Sequence, residues 1–84
     1  MEVKMENATQ TEIIVNGRPR RVDAAQLSFE QVTEIAFPGG SGPNVMFTVT
    51  FRKGDPKKEG SLLAGQTVAI VNGMIFDVIR TDKS

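Results

Sequence analysis

The sequence predicts an α+β fold in which a single helix packs on one face of a mixed sheet of four to five strands. Three observations lead to this prediction: one segment with helical periodicity, several segments with strand alternation, and two Asn-Gly turns. Since one helix cannot cover both faces of a sheet, we expect two layers. The 84 residues suit one small domain. We divide them into a flexible leader over 1–11, a folded domain over 12–80 and a flexible tail over 81–84.

A β-hairpin opens the folded domain. Residues 13–15 are all β-branched, and Asn16 and Gly17 follow them directly. Asn-Gly is the strongest two-residue hairpin signal, because a type I′ turn needs positive φ at both central positions. The return strand is expected over about 18–23. Pro19 cannot donate to a ladder, which places this strand at an edge of the sheet.

The helix is expected to begin after Ser28. Ser28 suits the N-cap position, and Gln31 three residues later completes a capping box. Apolar side chains then recur at helical spacing on one face, at Phe29, Val32, Ile35 and Ala36. Pro38 and the two glycines after it end the helix.

Two later segments alternate between apolar and polar residues, as half-buried strands do. They run from 45 to 51 and from 74 to about 80. The side chains expected to face the helix include Phe47, Val49, Phe76 and Val78. Those expected on the outer face are Met46, Thr48, Thr50, Ile75, Asp77 and Ile79. Between the two segments we expect an irregular stretch at 62–63, a strand over about 67–71 and a turn at 72–73.

The resulting order, β-β-α-β-β-β, is that of a β-grasp domain. The main alternative is the ferredoxin-like fold, which needs two helices, and the sequence offers one. The sequence therefore favours the β-grasp arrangement.

Composition excludes several classes of function. Ten basic and ten acidic residues balance, so electrostatics offer no reason to expect a nucleic acid or an anionic membrane as partner. The sequence has no cysteine and no histidine, which removes thiolate metal sites and the commonest general base. No carboxylates or nucleophile converge in an obvious site, so we expect no enzyme activity, cofactor or metal. Without a signal peptide or membrane span, a cytoplasmic monomer is expected.

Two further features are interpreted as ordinary loops. The Gly-rich segment 39–43 follows a helix instead of opening one, so it lacks the geometry of a phosphate-binding loop. Arg52, Lys53, Lys57 and Lys58 form a small basic cluster, which nearby acidic residues dilute.

Four segments together resemble the bacterial multiubiquitin-domain family of ubiquitin-like β-grasp modifiers. They are IIVNGRP over 13–19, LSFEQV through AFP over 27–38, FTVTFRKG over 47–54, and GMIFDV through TDKS over 73–84. The resemblance implies a modifier that works with an adenylating activating enzyme, a conjugating enzyme, a deconjugating metallopeptidase and target proteins. Ubiquitin and the sulfur carriers end in Gly-Gly, whereas this sequence ends in TDKS. Ser84 is thus the activated residue, an unprocessed end or the edge of one repeat.

The resemblance implies two candidate sites. The first is a conjugation tail of Arg80, Thr81, Asp82, Lys83 and Ser84, whose carboxylate would enter a narrow adenylating site. The second is a partner-binding sheet face of Met46, Thr48, Ile75, Asp77 and Ile79. The plain alternatives are a frayed terminus and ordinary exposed apolar side chains.

The leading hypothesis is a bacterial ubiquitin-like protein modifier that is activated at its C-terminus and conjugated to target proteins. The alternative is a β-grasp protein–protein interaction domain that is never conjugated.

Overall fold

A computed structural model describes residues 10–53 and 59–82. Its elements are, in chain order, β1 (Thr11–Val15), β2 (Arg18–Val22), β3 (Gln26–Ser28), α1 (Phe29–Ala36), β4 (Val45–Arg52), β5 (Gly60–Leu62), β6 (Thr67–Ala69) and β7 (Met74–Asp82). The described residues include no helix with the length and apolar content that a membrane crossing requires.

The main sheet has five strands in the order β2-β1-β7-β4-β5. The first and last strands of the domain, β1 and β7, run parallel at its centre, and the other pairs are antiparallel. Helix α1 packs on one face of this mixed sheet. The α+β, ubiquitin-like β-grasp fold that the sequence predicts is therefore confirmed.

The opening hairpin has the predicted turn. Asn16 and Gly17 have φ values of 52° and 81°, both positive as a type I′ turn requires. Arg18 lies opposite Val15, so the loop has two residues. Strand β2 lies at an edge of the sheet, the position that Pro19 predicts.

The predicted capping box opens α1. The Gln31 backbone N–H donates to Ser28 Oγ over 3.1 Å, and the Ser28 N–H donates to Gln31 Oε1 over 2.8 Å. Of the predicted apolar stripe, Val32 is fully buried and the other members are half-buried. These bonds begin the helix at the point where its apolar face meets the sheet.

The core lies between α1 and the inner face of the sheet. Its fully buried side chains are Ile13, Val32, Met74 and Phe76, and Val49 and Val78 are nearly so. The rings of Phe51 and Phe76 lie 6.2 Å apart between centroids, a separation typical of favourable aromatic pairs. The predicted inner faces of β4 and β7 are thus confirmed.

The predicted element order misses two short strands. Strand β3 directly precedes α1 and pairs with β6 to form a separate two-stranded sheet, with Leu27 opposite Val68. Strand β5 lies where the sequence suggested an irregular stretch, and it pairs with β4. Each has three residues, too few for alternation to be recognisable.

The outermost strands extend slightly beyond the bounds of 12–80 that the sequence suggests for the folded domain. Strand β1 begins at Thr11, one residue early, and β7 continues past Arg80 through Thr81 and Asp82. The last two residues continue β7 because they pair with Met46 and Val45 of β4. Residues 1–9 of the expected leader and Lys83 and Ser84 of the expected tail lie outside the described residues, as do Lys57 and Lys58 of the basic cluster.

Candidate functional site

The last part of β7 extends beyond its pairing with β1. Strand β1 pairs with residues 74–76 of β7, whereas β4 pairs with residues 75–82. Residues 79–82, which we call the arm, are all exposed. The arm is therefore held by one neighbouring strand, and its other edge faces away from β4.

The Asn16 side chain marks the point where the arm begins. Its Nδ2 donates to the Val78 carbonyl oxygen over 3.1 Å, and its Oδ1 accepts from the Val78 N–H over 2.8 Å. The Asn16 backbone N–H donates to the Phe76 carbonyl oxygen over 2.9 Å. Backbone N–H and C=O groups alternate in direction along a strand. Those of Arg80 and Asp82 therefore point to the same side of β7 as those of Val78. Among the described residues, no strand lies there to bind them.

The Arg80 side chain attaches the arm to the loop between α1 and β4. Its Nε donates to the Gly40 carbonyl oxygen over 2.9 Å, and its guanidinium forms an ion pair with Asp82 over 2.8 Å. The loop approaches closely here, because a Cβ added at Gly40 would lie 2.9 Å from Phe37 Cβ and 3.3 Å from Arg80 Nε. A side chain at position 40 would therefore crowd both Phe37 and the contact between the loop and the arm.

The structure brings the five predicted sheet-face residues onto one outer face. Ile79 lies opposite Thr48, and Thr81 lies opposite Met46. Ile79 is 60% exposed and Met46 is 49% exposed. Thr48 is also exposed. These three residues form what we call the exposed patch, and it adjoins the arm through Ile79.

Ile75 and Asp77 occupy a different part of the outer face. Both are half-buried. Asp77 forms an ion pair with Arg52 over 3.6 Å, and Ile75 lies opposite Ile14 of β1. The predicted face therefore divides into the exposed patch and a more polar, less exposed region.

Leu63 is a candidate that sequence reasoning missed. It is 60% exposed and follows β5 directly. Leu62 lies opposite Val49, so the next register position along β4 is Thr48. The chain therefore leaves the sheet at Leu63, next to the exposed patch. In sequence it looked like part of an irregular stretch, and the pairing that places it became visible only in the fold.

The described residues contain no group of three or more acidic side chains that could hold a metal ion. What the site offers is an arm with a free backbone edge beside an apolar patch. Such an arrangement can be recognised by another protein.

Comparison with known proteins gives one match, to a family model. The model is described as multiubiquitin, and it matches residues 11–82. No curated protein and no solved structure matches the chain. The matched range includes the arm and the whole exposed patch.

Proposed function

Because this chain belongs to the multiubiquitin family, we propose that it is a bacterial ubiquitin-like modifier, activated at its C-terminus by an adenylating enzyme and conjugated to target proteins. The observation that carries the proposal is the arm. Its four residues are exposed and paired on one side, so an enzyme can reach the polypeptide that leads to the C-terminus. On this proposal the protein is a substrate of conjugation and not a catalyst.

In the proposed reaction sequence the protein is the substrate whose C-terminal carboxylate reacts. An oxygen of the C-terminal carboxylate attacks the α-phosphorus of ATP, which gives an acyl adenylate and releases pyrophosphate. An enzyme thiol then displaces AMP to form a thioester, and a target amine displaces the thiol to form an amide. The β-grasp domain supplies the carboxylate and a surface that the enzymes recognise.

Activation requires part of the arm to leave the sheet. Thr81 and Asp82 must separate from Met46 and Val45 of β4. Each backbone hydrogen bond contributes about 0.5–1.5 kcal/mol net, and an exposed ion pair such as Arg80–Asp82 contributes about 0–1 kcal/mol. Contacts with an enzyme can offset a cost of this size. The Arg80–Gly40 hydrogen bond supports an arm that separates after Arg80 and not before it.

The exposed patch supports the second half of the proposal, which concerns recognition. We propose that the activating, conjugating and deconjugating enzymes contact Met46, Thr48 and Ile79, with Ile75 and Asp77 at the border. Removal of exposed apolar side chains from water is favourable by about 25 cal/mol per Å², and the net affinity is smaller because association itself costs free energy. Since Ile79 belongs to both patch and arm, one enzyme surface can bind both together.

Intact mass spectrometry and ATP–pyrophosphate exchange test the proposal. The full chain is incubated with ATP and a candidate adenylating enzyme from the same organism. We expect exchange that depends on the chain and a product with the mass of an adenylate or enzyme adduct. As a control, a variant extended by six histidines after Ser84 should lose exchange, because its carboxylate is displaced. An unchanged mass without exchange, or equal exchange by the extended variant, would contradict C-terminal activation.

A specific observation also favours the alternative, a non-conjugated interaction domain. Thr81 and Asp82 are held in the β4–β7 ladder, which is how an ordinary structural strand would look. On this alternative the mass stays unchanged, while partner proteins still bind the exposed patch.

A further inference from the structure

Among the described strands β2 is paired on one side only, and it carries three arginines within four residues. Arg18, Arg20 and Arg21 are all exposed, and Pro19 lies between the first two. Within residues 10–53 and 59–82 the ion pairs are Arg52–Asp77 and Arg80–Asp82. The three arginines of β2 thus have no carboxylate partner in the described part of the chain. We call this strand the basic edge.

The hairpin register determines which backbone groups the basic edge offers. In a two-residue hairpin the residues that flank the loop, here Val15 and Arg18, form a hydrogen-bonded pair. By alternation, Arg20 also bonds to β1, whereas the backbone groups of Pro19 and Arg21 point away from the sheet. Pro19 lacks an N–H. The edge therefore offers two carbonyl groups and, at Arg21, one N–H, which is enough to accept a short strand.

A groove on the helix side lies beside the basic edge. Its cavity of about 220 Å³ is lined by Val15, Asn16, Arg18, Arg20, Ile35, Ala36 and Phe37. This is smaller than the roughly 300–1,000 Å³ of typical small-molecule sites, so it suits single side chains of a docked segment. Its lining combines an apolar floor from the end of α1 with two guanidinium groups.

The positive charge of the basic edge indicates which kind of segment can bind there. Two copies pairing through β2 would bring six arginines together, which is unfavourable, and basic edges generally prevent such self-association. An acidic segment would instead find three cations and a row of backbone groups that have no partner within residues 10–53 and 59–82. A second cavity, which shares Ile35 with the groove, has Glu30 and Glu34 in its lining. Carboxylates of the segment are thus favoured at the Arg18–Arg20 end.

We propose that the basic edge binds an extended acidic segment of another protein by strand addition, with an apolar side chain of the segment in the groove. Binding here does not depend on conjugation, because the basic edge and the arm belong to different parts of the fold. The segment residue opposite Arg21 exchanges backbone hydrogen bonds with it. Neighbouring segment residues point to the helix side, beside Arg20.

A fluorescein-labelled peptide containing Val-Val-Glu-Glu provides the probe. Since alternate residues of a strand face opposite sides, each face of this peptide presents one valine and one glutamate. Fluorescence anisotropy measures its affinity for the full chain, and NMR amide shifts locate it. We expect shifts in β2 and in residues 35–37, and clearly weaker binding of the Val-Val-Gln-Gln peptide.

Two matched pairs of variants separate charge from backbone. Arg20→Glu should weaken binding about tenfold, the scale of one charge-assisted contact. Lys53→Glu, with the same charge change at the end of β4, should change it less than about twofold. Arg21→Pro removes the outward N–H and should bind about fivefold more weakly than Arg21→Ala, which keeps it. Circular dichroism checks that each variant is folded.

Three results would overturn this site. The first is shifts confined to Met46, Thr48 and Ile79, because the peptide would then occupy the exposed patch. The second is equal affinity of the Val-Val-Glu-Glu and Val-Val-Gln-Gln peptides. The third is an Arg20→Glu variant that binds as well as Lys53→Glu. Each result can occur whether or not the C-terminus is activated, so failure here is distinguishable from failure of the modifier proposal.

Discussion

At the residue scale, Asn16 both forms the hairpin turn and binds a distant strand. Its positive φ closes the hairpin, and its side-chain amide binds both backbone groups of Val78, 62 residues away in the sequence. Asn72, the other asparagine that precedes a glycine, makes one such bond, accepting from the Glu12 N–H over 2.8 Å. The two side chains thus bracket the parallel β1–β7 pair at opposite ends.

Replacing each asparagine by aspartate distinguishes the two roles. Asn16→Asp loses the donor to the Val78 carbonyl and places a carboxylate oxygen beside it, which should cost about 1–3 kcal/mol of unfolding free energy. Aspartate tolerates the left-handed region about as well as asparagine does, so the backbone is unchanged. Asn72→Asp keeps its acceptor and should cost less than about 0.5 kcal/mol. Urea denaturation at neutral pH measures both, and equal losses would contradict the bracket at Val78.

Phe76 tests the packing of the core. Its side chain is fully buried beside Phe51, so Phe76→Ala should reduce the free energy of unfolding by about 3–5 kcal/mol. Ile79→Ala, on the exposed side of the same strand, is the control and should change it by about 0.5 kcal/mol or less. Chemical denaturation gives both values. A loss below about 1 kcal/mol at Phe76 would mean that the strand faces the other way.

At the scale of elements, the arm depends on the loop that follows α1. Arg80 reaches back to Gly40, and so the end of β7 is positioned by a segment that lies between the helix and β4. The loop that the sequence marked as an ordinary turn therefore contributes to the candidate site. The loop contributes by bringing its backbone at Gly40 close to the Arg80 side chain.

Two glycines in this loop make a matched test. A Cβ at Gly40 would lie 2.9 Å from Phe37 Cβ and 3.0 Å from the Phe37 oxygen, whereas one at Gly42 has its nearest contact at 3.8 Å. Gly40→Ala should therefore cost about 1–3 kcal/mol and speed hydrogen exchange at Thr81 and Asp82. Gly42→Ala should be neutral or stabilise by up to about 1 kcal/mol. Thermal denaturation and hydrogen exchange check this, and a harmless Gly40→Ala would show that the arm does not need the loop contact.

At the scale of the whole molecule, the fold separates the two surfaces that we propose for recognition. The exposed patch and arm share the outer face and the end of β7, while the basic edge and its groove lie beside the helix. If the two proposals hold, the chain can engage an enzyme at one surface and another protein at the second. The central β1–β7 pair separates them.

The modifier proposal makes a prediction for the exposed patch as a unit. Ile79→Asp places a charge where an enzyme would bury an apolar side chain, so the KM for the chain in ATP–pyrophosphate exchange should rise about tenfold. Ala69→Asp adds the same charge at an exposed position of β6 and should leave the KM within about twofold. Equal effects of the two changes would exclude the patch as an enzyme contact.

Sequence alone predicted the features that local chemistry controls. The Asn-Gly hairpin, the capping box at Ser28 and Gln31, and the facing of β4 and β7 were all confirmed. Each depends on residues close together in the chain or on the alternation of apolar and polar side chains. The fold class follows from these features, because one amphipathic helix and several half-buried strands leave few ways to form a core.

The tertiary structure alone decided where short segments pair. Strand β3 exists because β6 lies beside it, and Thr81 and Asp82 continue β7 because the start of β4 lies opposite them. The same holds for the Asn16–Val78 bracket. A local sequence pattern indicates which side chains are buried and which are exposed. The pairing of three-residue segments depends instead on partners that are distant in the sequence. The pairing of the arm with β4 and the loop contact that holds the arm could therefore be located only in the folded chain.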